Sequence, residues 1–395
     1  MIGSESVADV EFSLEWKSGD ASHREVSFRR INFWRDIMPG DLYSMFMGSF
    51  EGDRFDTRFR AGEFVPLYNQ HGEIKIKRSL FNDSKASLRV GRFYPRGLLK
   101  GLPGLFPENI EPFRCTYYDG DLLHADFNHP MAGREVHIEA MIRGVNPVAN
   151  TIGGECAVLS EVLVSGPGMQ ARWKEKPTHF ISHEDDFKRE IEEDDSFFYL
   201  NPRFIMHIDT LAASTLSRLY AKYLKPRYDV LDLMTSCESH IPEHIELNSV
   251  TGLGMNMDEM LANPVLTKRL VHDLNKNHIM PFDSGSFDTV LCSLSVEYLI
   301  RPVDVFSEVA RILKPGGRFV VSFSNRWFPP KAIRLWAELH DFEKMGLVLD
   351  YFMKTDLFEN LETFSSRGYP RPYDDKYFPS QRLSDPVYAV AGERK

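Results

Sequence analysis

The sequence is poor in cysteine, and the four cysteines that it has are widely scattered. Cys115, Cys156, Cys237 and Cys292 form none of the closely spaced pairs that metal sites use, so no metal site is predicted. Isolated thiols of this kind are typical of the reducing cytoplasm. No run of 18 apolar residues occurs, and the polar stretch Met1–Asp9 lacks the pattern of a signal peptide. A cytoplasmic protein without a membrane segment is therefore expected.

An excess of positive charge is also absent. The chain has 47 basic and 57 acidic residues, which gives a formal net charge of −10. This balance argues against binding to nucleic acid or to an anionic membrane, because both are negatively charged. Apolar residues make up 43% of the chain and charged residues 26%, which is ordinary for a globular protein, and 395 residues are enough for two domains.

Between Tyr228 and Asn325, apolar runs rich in Val, Ile, Leu and Phe alternate with longer amphipathic segments. This pattern predicts βαβ units whose strands are buried on both faces. Polar residues follow each apolar run, and α/β proteins bind ligands at the carboxyl ends of their parallel strands. The sequence therefore predicts an open α/β sheet with a ligand site at one edge.

Four blocks in this region resemble class I S-adenosylmethionine (SAM)-dependent methyltransferases of the type 11 group. They are Val230–Leu233, Met280–Phe282 followed by Ser286–Asp288, the predicted helix Val303–Leu313, and Leu313–Gly317. The resemblance implies a seven-stranded Rossmann-like domain over residues 201–395 that binds SAM. It also implies that the last strand, Asp385–Ala391, runs antiparallel at the edge of the sheet.

The turn after the first strand departs from the family. Its members usually carry a glycine-rich turn there, whereas Met234–Ser239 contains no glycine. Either Thr235, Ser236 and backbone N–H groups hold SAM in a different way, or SAM binding has been lost. We favour retention, because Gly252 and Gly254 supply glycines one strand away, as if the close backbone approach had moved.

The resemblance assigns cofactor contacts to the ends of three strands. Asp232 would orient the turn and the methionine amino group, Asn256 would bind a ribose hydroxyl, and Asp273 would take the adenine amino group. The predicted cofactor-binding residues are Asp232, Met234, Thr235, Ser236, Gly254, Met255, Asn256, Asp273, Leu274, Asn275 and Ser293.

The fourth strand of the family ends near the transferred methyl group, so catalytic candidates are sought there. Methyl transfer needs a general base only if the acceptor is protonated at the working pH. The candidates are His240, Glu297 and Tyr298, with Ser295 close to the acceptor. Because none stands out as a base, a small thiol or sulfide is a compatible acceptor, and oxygen or nitrogen acceptors stay open.

Residues 8–145 read as strands and turns, and two pieces of this region resemble FKBP-type proteins. Met47–Asp56 is similar to their G-D-x-F stretch, and Asp126–Ile138 looks like the N-H-P-L-A-G ending of the SlyD-like branch. An FKBP-like β-rich domain is therefore predicted. Ala61–Pro66 replaces the aromatic stretch of the active site, so dimerisation, substrate gating or stability is favoured over isomerase activity or peptide binding.

Residues 146–200 are predicted to be a linker or lid, and its acidic part His183–Asp195 is expected to be a solvated face. Arg203–Leu224 has helical periodicity, with Arg203 and His207 on one face. The resemblance to the methyltransferases implies that this helix roofs the cofactor pocket. Scattered apolar segments in the linker are compatible with a homodimer.

The first hypothesis is a cytoplasmic SAM-dependent methyltransferase with a small-molecule acceptor and no nucleic-acid or membrane partner. A second is a binding protein in which the methyltransferase fold is a non-catalytic scaffold. A third is a protein methyltransferase whose FKBP-like half presents a peptide. The glycine-free turn separates the first from the second, and an aromatic cup in the N-terminal half would favour the third.

Overall fold

The computed structural model describes residues 1–147 and 154–395, which form two compact units. The first unit comprises Met1–Ser182 with Glu338–Gly346, and the second comprises His183–Ala337 with Leu347–Lys395. The division after Ser182 falls inside the predicted linker 146–200, of which 148–153 lie outside the described residues.

In the first unit, four antiparallel strands form one sheet in the order β2-β1-β8-β3. Alternate residues of β1 are buried, among them Val10, Phe12 and Leu14, as the period-2 pattern predicts. The strands are β1 (Val7–Lys17), β2 (Ser22–Asn32), β3 (Arg54–Phe59) and β8 (Val136–Asn146).

The segment between β3 and β8 forms a second antiparallel sheet, whose strands lie in the order β4-β7-β6-β5. It encloses a separate small core that includes Phe81, Phe113 and Leu123. Its strands are β4 (Glu73–Lys77), β5 (Phe93–Pro95), β6 (Pro112–Tyr118) and β7 (Leu122–Asp126).

The second unit holds seven strands in the order β11-β10-β9-β12-β13-β15-β14. Strands β9 to β13 pair in parallel, whereas β15 is antiparallel to both of its neighbours. The strands are β9 (Asp229–Leu233), β10 (Ser249–Gly254), β11 (Lys268–Val271), β12 (Phe287–Ser293), β13 (Leu313–Phe323), β14 (Phe358–Arg367) and β15 (Val387–Arg394).

This sheet agrees with the predicted α/β class, and one detail of the prediction is wrong. The last strand, β15, does not lie at the sheet edge, because it is inserted between β13 and β14. All but two of its residues are buried, which suits a central strand.

The helices differ more from the prediction than the strands do. The chain contains α1 (Gly40–Phe46), α2 (Leu159–Val164), α3 (Asp195–Phe198), α4 (Thr210–Tyr220), α5 (Met257–Ala262), α6 (Pro302–Ile312), α7 (Arg334–Glu338) and α8 (Asp341–Thr355). Short 3₁₀ turns occupy Gln70–Gly72, Arg78–Leu80, Arg96–Leu98, Glu184–Phe187 and Val296–Tyr298. In the described parts of the chain, no helix is long and apolar enough to cross a membrane.

The predicted helix Arg203–Leu224 is shorter at both ends, since α4 spans Thr210–Tyr220. The side chain of Asp209 accepts hydrogen bonds from the backbone N–H groups of Leu211 and Ala212, which starts the helix there. Arg203 and His207 therefore do not share a helix face, because they precede the helix.

The strand order reverses at β9, because β10 is added on one side of β9 and β12 on the other. The glycine at the end of β10 lets the turn after β9 pack against this neighbour. A Cβ atom on Gly254 would lie 2.3 Å from the carbonyl oxygen of Thr235, and the Thr235 N–H donates to the Leu253 carbonyl at 3.0 Å. The glycines of β10 thus make room for the turn.

Gly254→Ala should destabilise the second unit, because the obstructing atom belongs to the backbone and cannot rotate away. We expect the free energy of unfolding, measured by urea denaturation, to fall by about 1–3 kcal/mol. Gly120→Ala is the matched control, since a Cβ there meets no atom within 4 Å. Equal stability of Gly254→Ala and the wild type would contradict this account of the turn.

Candidate functional site

A cleft that is open to solvent lies in the second unit where β9, β10 and β12 end. All eleven predicted cofactor residues line it, as do His240, Ser295 and Tyr298. Glu297 does not line the cleft and is fully buried. The other lining residues are Asp195, Tyr199, Arg203, His207, Glu238, Glu259, His272, Leu294 and Phe328, of which Arg203 and His207 were expected near the cofactor pocket.

The glycine-free turn after β9 is held together by its own hydroxyl groups. The hydroxyls of Thr235 and Ser239 both donate to Oδ2 of Asp232, the second at 2.6 Å. Asn263 donates to the Ser239 hydroxyl at 2.8 Å and extends this network. Side-chain hydrogen bonds thus fix a turn that has no glycine.

Asp232 is only 1% exposed, and its two hydrogen-bond donors are uncharged. Burial raises the pKa of Asp232 to about 6, because the ionised carboxylate loses its hydration. A cationic group bound beside Asp232 would favour the ionised form.

Three residues of the cleft that are not glycine adopt a left-handed backbone conformation. They are Met234 with φ 59°, His240 with φ 55° and Leu294 with φ 52°. Such conformations cost of order 1–3 kcal/mol each and tend to occur at functional sites. Met234 accepts the positive φ that glycine would adopt more easily.

Two of the predicted cofactor ligands have side chains that form several hydrogen bonds within the protein. Asn256 accepts from the N–H groups of Asp258 and Glu259 and donates to the carbonyls of Tyr199 and Leu200. It therefore acts as the N-cap of α5.

Asn275 is engaged in the same way. It donates to Asp195 at 2.9 Å and to the Tyr298 carbonyl at 3.0 Å, and it accepts from the Ile300 N–H. Both asparagines shape the cleft. The amide of Asn256 has no hydrogen-bonding position left for a ligand, whereas the amide oxygen of Asn275 accepts one hydrogen bond and keeps a second acceptor position.

Glu259 was not predicted, although it lies five residues beyond the end of β10 and lines the cleft. It is 7% exposed, and it accepts from the Arg203 N–H at 2.7 Å and the Ser236 hydroxyl at 2.6 Å. Its carboxylate keeps acceptor positions beyond these two. An acid three residues after the capping Asn256 is the sequence signal that could have identified it.

His240 and Glu238 form a pair on the turn after β9. Nδ1 of His240 lies 3.3 Å from Oε1 of Glu238, and this imidazole holds the pKa of Glu238 below its usual value. A carboxylate beside an imidazole stabilises the charged imidazole and suits general-base chemistry.

The other two catalytic candidates in the cleft are hydrogen-bond groups rather than bases. The Tyr298 hydroxyl accepts from the Phe328 N–H at 2.8 Å, and burial raises the pKa of Tyr298 well above its usual value. The Ser295 hydroxyl donates to the Ser293 carbonyl at 2.7 Å. Tyr298 is therefore neutral at physiological pH.

One wall of the cleft comes from the segment around α3, which a buried lysine side chain holds in place. The ammonium of Lys331, fully buried, donates to the carbonyls of Ile191 and Glu193 and lies 2.9 Å from Asp195. Asp195 also pairs with Arg189 at 2.7 Å. The prediction of a solvated acidic face is thus wrong at Asp195, which is buried and pairs with both Lys331 and Arg189.

The cleft is rich in carboxylates, and three of them are not held in close ion pairs within the described part of the chain. Asp232, Glu259 and Asp273 form no ion pair with a Lys or Arg side chain of the described residues. Such carboxylates attract a ligand that carries positive charge and hydroxyl or amino donors. SAM has these groups, so the residues present fit it.

An open α/β sheet with a polar cleft at the point where strand order reverses is a nucleotide-binding arrangement. Residues 248–321 match the family model Methyltransf_11, described as a methyltransferase domain. This match confirms the predicted methyltransferase domain within the second unit. The FKBP-like assignment of residues 8–145 stays a prediction.

Two curated relatives match part of the chain. A ubiquinone/menaquinone biosynthesis C-methyltransferase UbiE of Burkholderia vietnamiensis is 29% identical over 147 residues, 36% of this chain and 53% of that protein. A malonyl-[acyl-carrier protein] O-methyltransferase of a Marinomonas species is 33% identical over 84 residues, 20% of this chain and 31% of that protein. The chain thus spans about half or less of each relative.

Solved structures with a similar fold include a SAM-dependent methyltransferase from Archaeoglobus fulgidus. It is 16% identical with a TM-score of 0.33, over 47% of this chain and 93% of that chain. A SAM-dependent methyltransferase from Mesorhizobium loti is 15% identical with a TM-score of 0.30, over 45% of this chain and 96% of that chain.

Asp232→Asn should change how the stability of the protein depends on pH. Because the pKa of Asp232 is raised to about 6, its contribution to stability is fully present below pH 4 and is lost as pH rises through 6. The wild type should lose roughly 3 kcal/mol relative to the variant between pH 4 and pH 7 in urea denaturation.

Asp229→Asn is a control, because the contribution of Asp229 to stability depends on pH in the opposite direction. A hydrogen bond from Ser249 holds the pKa of Asp229 below its usual value, so its contribution is lost as pH falls. Parallel pH profiles for the wild type and Asp232→Asn would show that Asp232 is not a buried, protonated carboxyl.

Proposed function

We propose that the second unit is a SAM-dependent methyltransferase that acts on a small-molecule acceptor. The observation that carries this proposal is the cleft at the ends of β9, β10 and β12, where three carboxylates form no close ion pair with a Lys or Arg side chain of the described residues. The family-model match over residues 248–321 supports the same conclusion. SAM, when bound, would supply a methyl group on a positively charged sulfur.

Three parts of the cleft would hold SAM. The buried Asp232 and its turn suit the cationic methionine portion, since a positive charge offsets the cost of ionising this carboxyl. Asp273 and the buried Leu274 offer a hydrogen-bond acceptor and an apolar surface to adenine.

Glu259, rather than Asn256, is proposed to bind the ribose hydroxyls. The amide of Asn256 is occupied by four backbone partners, and Gly254 has no side chain. A carboxylate is also the stronger acceptor, because charge-assisted hydrogen bonds are shorter and stronger than neutral ones. Glu259 already contacts the turn through Ser236, so ribose binding and the turn would be coupled.

At the acceptor end, His240 is the proposed general base. An acceptor that is protonated at neutral pH would give its proton to the imidazole, and Glu238 would stabilise the resulting cation. Tyr298 keeps its own proton. Its ring is stacked on the ring of Phe328, with the two ring centres 6.1 Å apart, and the pair forms an aromatic wall. The remaining catalysis would come from alignment of acceptor and methyl group.

A small thiol or sulfide is one acceptor class that this site would accept with little help, because a thiolate attacks without a base. The two curated relatives are named for methylation at carbon and at oxygen, and each is matched over about half of its length or less. The activity of His240 variants toward different acceptors is therefore the best way to identify the acceptor atom.

For the first unit we infer an FKBP-like module of the SlyD type. A four-stranded sheet inserted between β3 and β8 supports this, since the two resembling pieces flank the insertion. Asn128, which belongs to the second resembling piece Asp126–Ile138, forms two hydrogen bonds with the backbone of Asn69. Its amide oxygen accepts from the Asn69 N–H, and its amide nitrogen donates to the Asn69 carbonyl. A binding protein built on this module, with a non-catalytic methyltransferase fold, is the alternative function.

Calorimetric titration with SAM and with S-adenosylhomocysteine separates these functions. We expect both to bind, and Glu259→Gln to weaken the binding about 10- to 100-fold, because it loses charge-assisted hydrogen bonds to ribose. Asp258→Asn, an exposed acid on the same turn of α5, should bind as the wild type does. Absence of binding to the folded wild type would exclude the enzyme and leave the binding protein.

His240→Gln should affect acceptors according to their acidity. With a thiol acceptor, kcat/KM should change little, because the thiolate forms without a base. With a phenol or amine acceptor, it should fall about 10²- to 10⁴-fold. An equal loss with every acceptor would assign His240 a structural role, and Ser295→Ala is the control that leaves the imidazole in place.

A further inference from the structure

A pocket in the first unit has a lining with an excess of positive charge, and we call it the basic pocket. Its four cations come from three parts of the chain. They are Arg114 of β6, Arg134 just before β8, and Arg172 and Lys174 from the segment after α2. Among the described residues that line the pocket, Asp126 of β7 is the one acid. This charge balance favours an anionic ligand.

Arg114 is the most deeply buried of these cations, with 6% of its surface exposed. Its guanidinium donates to the Ala171 carbonyl at 2.9 Å and lies 4.1 Å from the centre of the Phe93 ring, while its Nε–H has no acceptor among the described residues. Asp126 faces Arg114 in the strand register, but its Oδ1 accepts two hydrogen bonds from Asn128. An anion in the pocket would offset the cost of burying this charge.

Arg134 is a second cation that no carboxylate of the described residues holds in a close ion pair. It donates to the Lys17 carbonyl at 3.0 Å. The charge of Arg134 is close enough to Arg114 to oppose the protonation of that guanidinium, whose pKa burial already lowers to about 10. Arg172 differs from both, because it lies 3.8 Å from Asp20. The pocket thus holds two neighbouring guanidinium groups that repel each other.

The turn that carries Lys174 has an unfavourable backbone conformation. The Lys176 N–H donates to the Trp173 carbonyl at 2.9 Å, which closes a turn with two central residues. These are Lys174, with φ 48°, and Glu175, with φ 62°, so both lie in the left-handed region. Asn-Gly is the pair that adopts such a turn most easily, whereas lysine and glutamate are strained there. Strain of this kind tends to be kept where it fixes a functional side chain.

The strained turn sets the Lys174 ammonium against two aromatic rings of the pocket. The ammonium lies 4.4 Å from the centre of the Trp173 ring and 4.8 Å from the centre of the Tyr68 ring. Burial raises the pKa of Tyr68 to about 12 and lowers the pKa of His129, another lining residue, to about 4, so both are neutral at pH 7. The pocket therefore combines cations with uncharged rings, which suits an organic anion.

We propose that the basic pocket binds a phosphate monoester. Its dianionic group would lie among Arg114, Arg134 and Lys174, and its organic part would pack against the rings of Tyr68 and Trp173. A phosphate monoester carries a charge of about −1.5 to −2 at neutral pH and three acceptor oxygens, so it matches these cations better than a carboxylate with one charge. Guanidinium groups also bind phosphate through paired hydrogen bonds. This site belongs to the first unit and is independent of the methyl transfer proposed for the second.

Calorimetric titration of the full chain with phenyl phosphate tests the site. We expect binding that Lys174→Gln weakens about three- to ten-fold, because one charged contact is lost at an exposed position. Arg134→Gln should weaken it about 10- to 100-fold. Lys176→Gln is the matched control, since it removes the same charge from the other end of the same turn, and Lys176 is not among the described residues that line the pocket. It should bind phenyl phosphate as the wild type does.

A double variant separates binding from folding. Lys174→Asn with Glu175→Gly gives the turn the residues that it favours and removes the ammonium. It should bind phenyl phosphate about as weakly as Lys174→Gln does, while the midpoint of urea denaturation stays the same or rises. A lower midpoint would contradict the strain in this turn and the argument that Lys174 is held there for a ligand.

Three results would overturn the inference. The first is the absence of saturable phenyl phosphate binding by the folded wild type. The second is an equal loss in Lys174→Gln and Lys176→Gln, which would show only a general attraction to a basic surface. The third is benzoate binding as tight as phenyl phosphate binding, which would assign the pocket to a carboxylate.

Two further ligands identify the source of the phosphate group. Inorganic phosphate that binds as tightly as phenyl phosphate would support the cation cluster and refute the contact of an organic part with the two rings. A phosphotyrosine peptide that binds more tightly than phenyl phosphate, with the same loss in Lys174→Gln, would support the phosphate site and identify a phosphorylated protein as its source.

Discussion

The packing of the turn after β9 against Gly254 is the constraint on which the site depends. The carbonyl of Thr235 occupies the space that any other residue at position 254 would fill with its Cβ. This contact fixes Thr235 and Ser236, whose hydroxyls then reach Asp232 and Glu259. Glycine is thus required on the neighbouring strand, where it admits the turn, while Met234 accepts a positive φ within the turn itself.

The buried polar groups around the cleft form a connected support rather than a set of separate contacts. Asp195 joins Arg189, Lys331 and Asn275, and Asn275 in turn holds the backbone at Tyr298. Each of these groups is buried or half-buried, so loss of one partner would leave another unsatisfied. The segment around α3 is therefore tied to the part of the cleft that Asn275 and Tyr298 line.

Much of the second unit could be predicted from its sequence, because its strands are apolar runs followed by polar residues. The resemblance to methyltransferases assigned Asp232 and Asp273 to the cofactor site, and both residues line the cleft, while their contacts with a cofactor stay predictions. Strand order could not be read from the pattern, so β15 was expected at the edge although it lies between β13 and β14. The start of α4 was misplaced because Pro202 resembles a helix start, whereas Asp209 caps the helix.

The residues that the sequence did not reveal come from segments that folding brings to the cleft from elsewhere. Tyr199 precedes β9 by thirty residues, so it follows no strand end that points to the site. Phe328 does follow a strand end, since it lies five residues beyond β13, and it could have been sought there. Asn256 was expected to bind ribose, yet its hydrogen-bonding groups serve the cap of α5 and the neighbouring segment. Glu259, on the same turn, is the acid that remains available.

The central claim is that a SAM-type nucleoside binds in this cleft without a glycine-rich turn. A crystal structure of the full chain with S-adenosylhomocysteine tests it most directly. The account predicts the ribose hydroxyls within hydrogen-bond distance of Glu259, with Met234 still at positive φ and the Thr235 carbonyl still against Gly254. A nucleoside bound elsewhere, or a turn rebuilt so that Thr235 leaves Gly254, would contradict it.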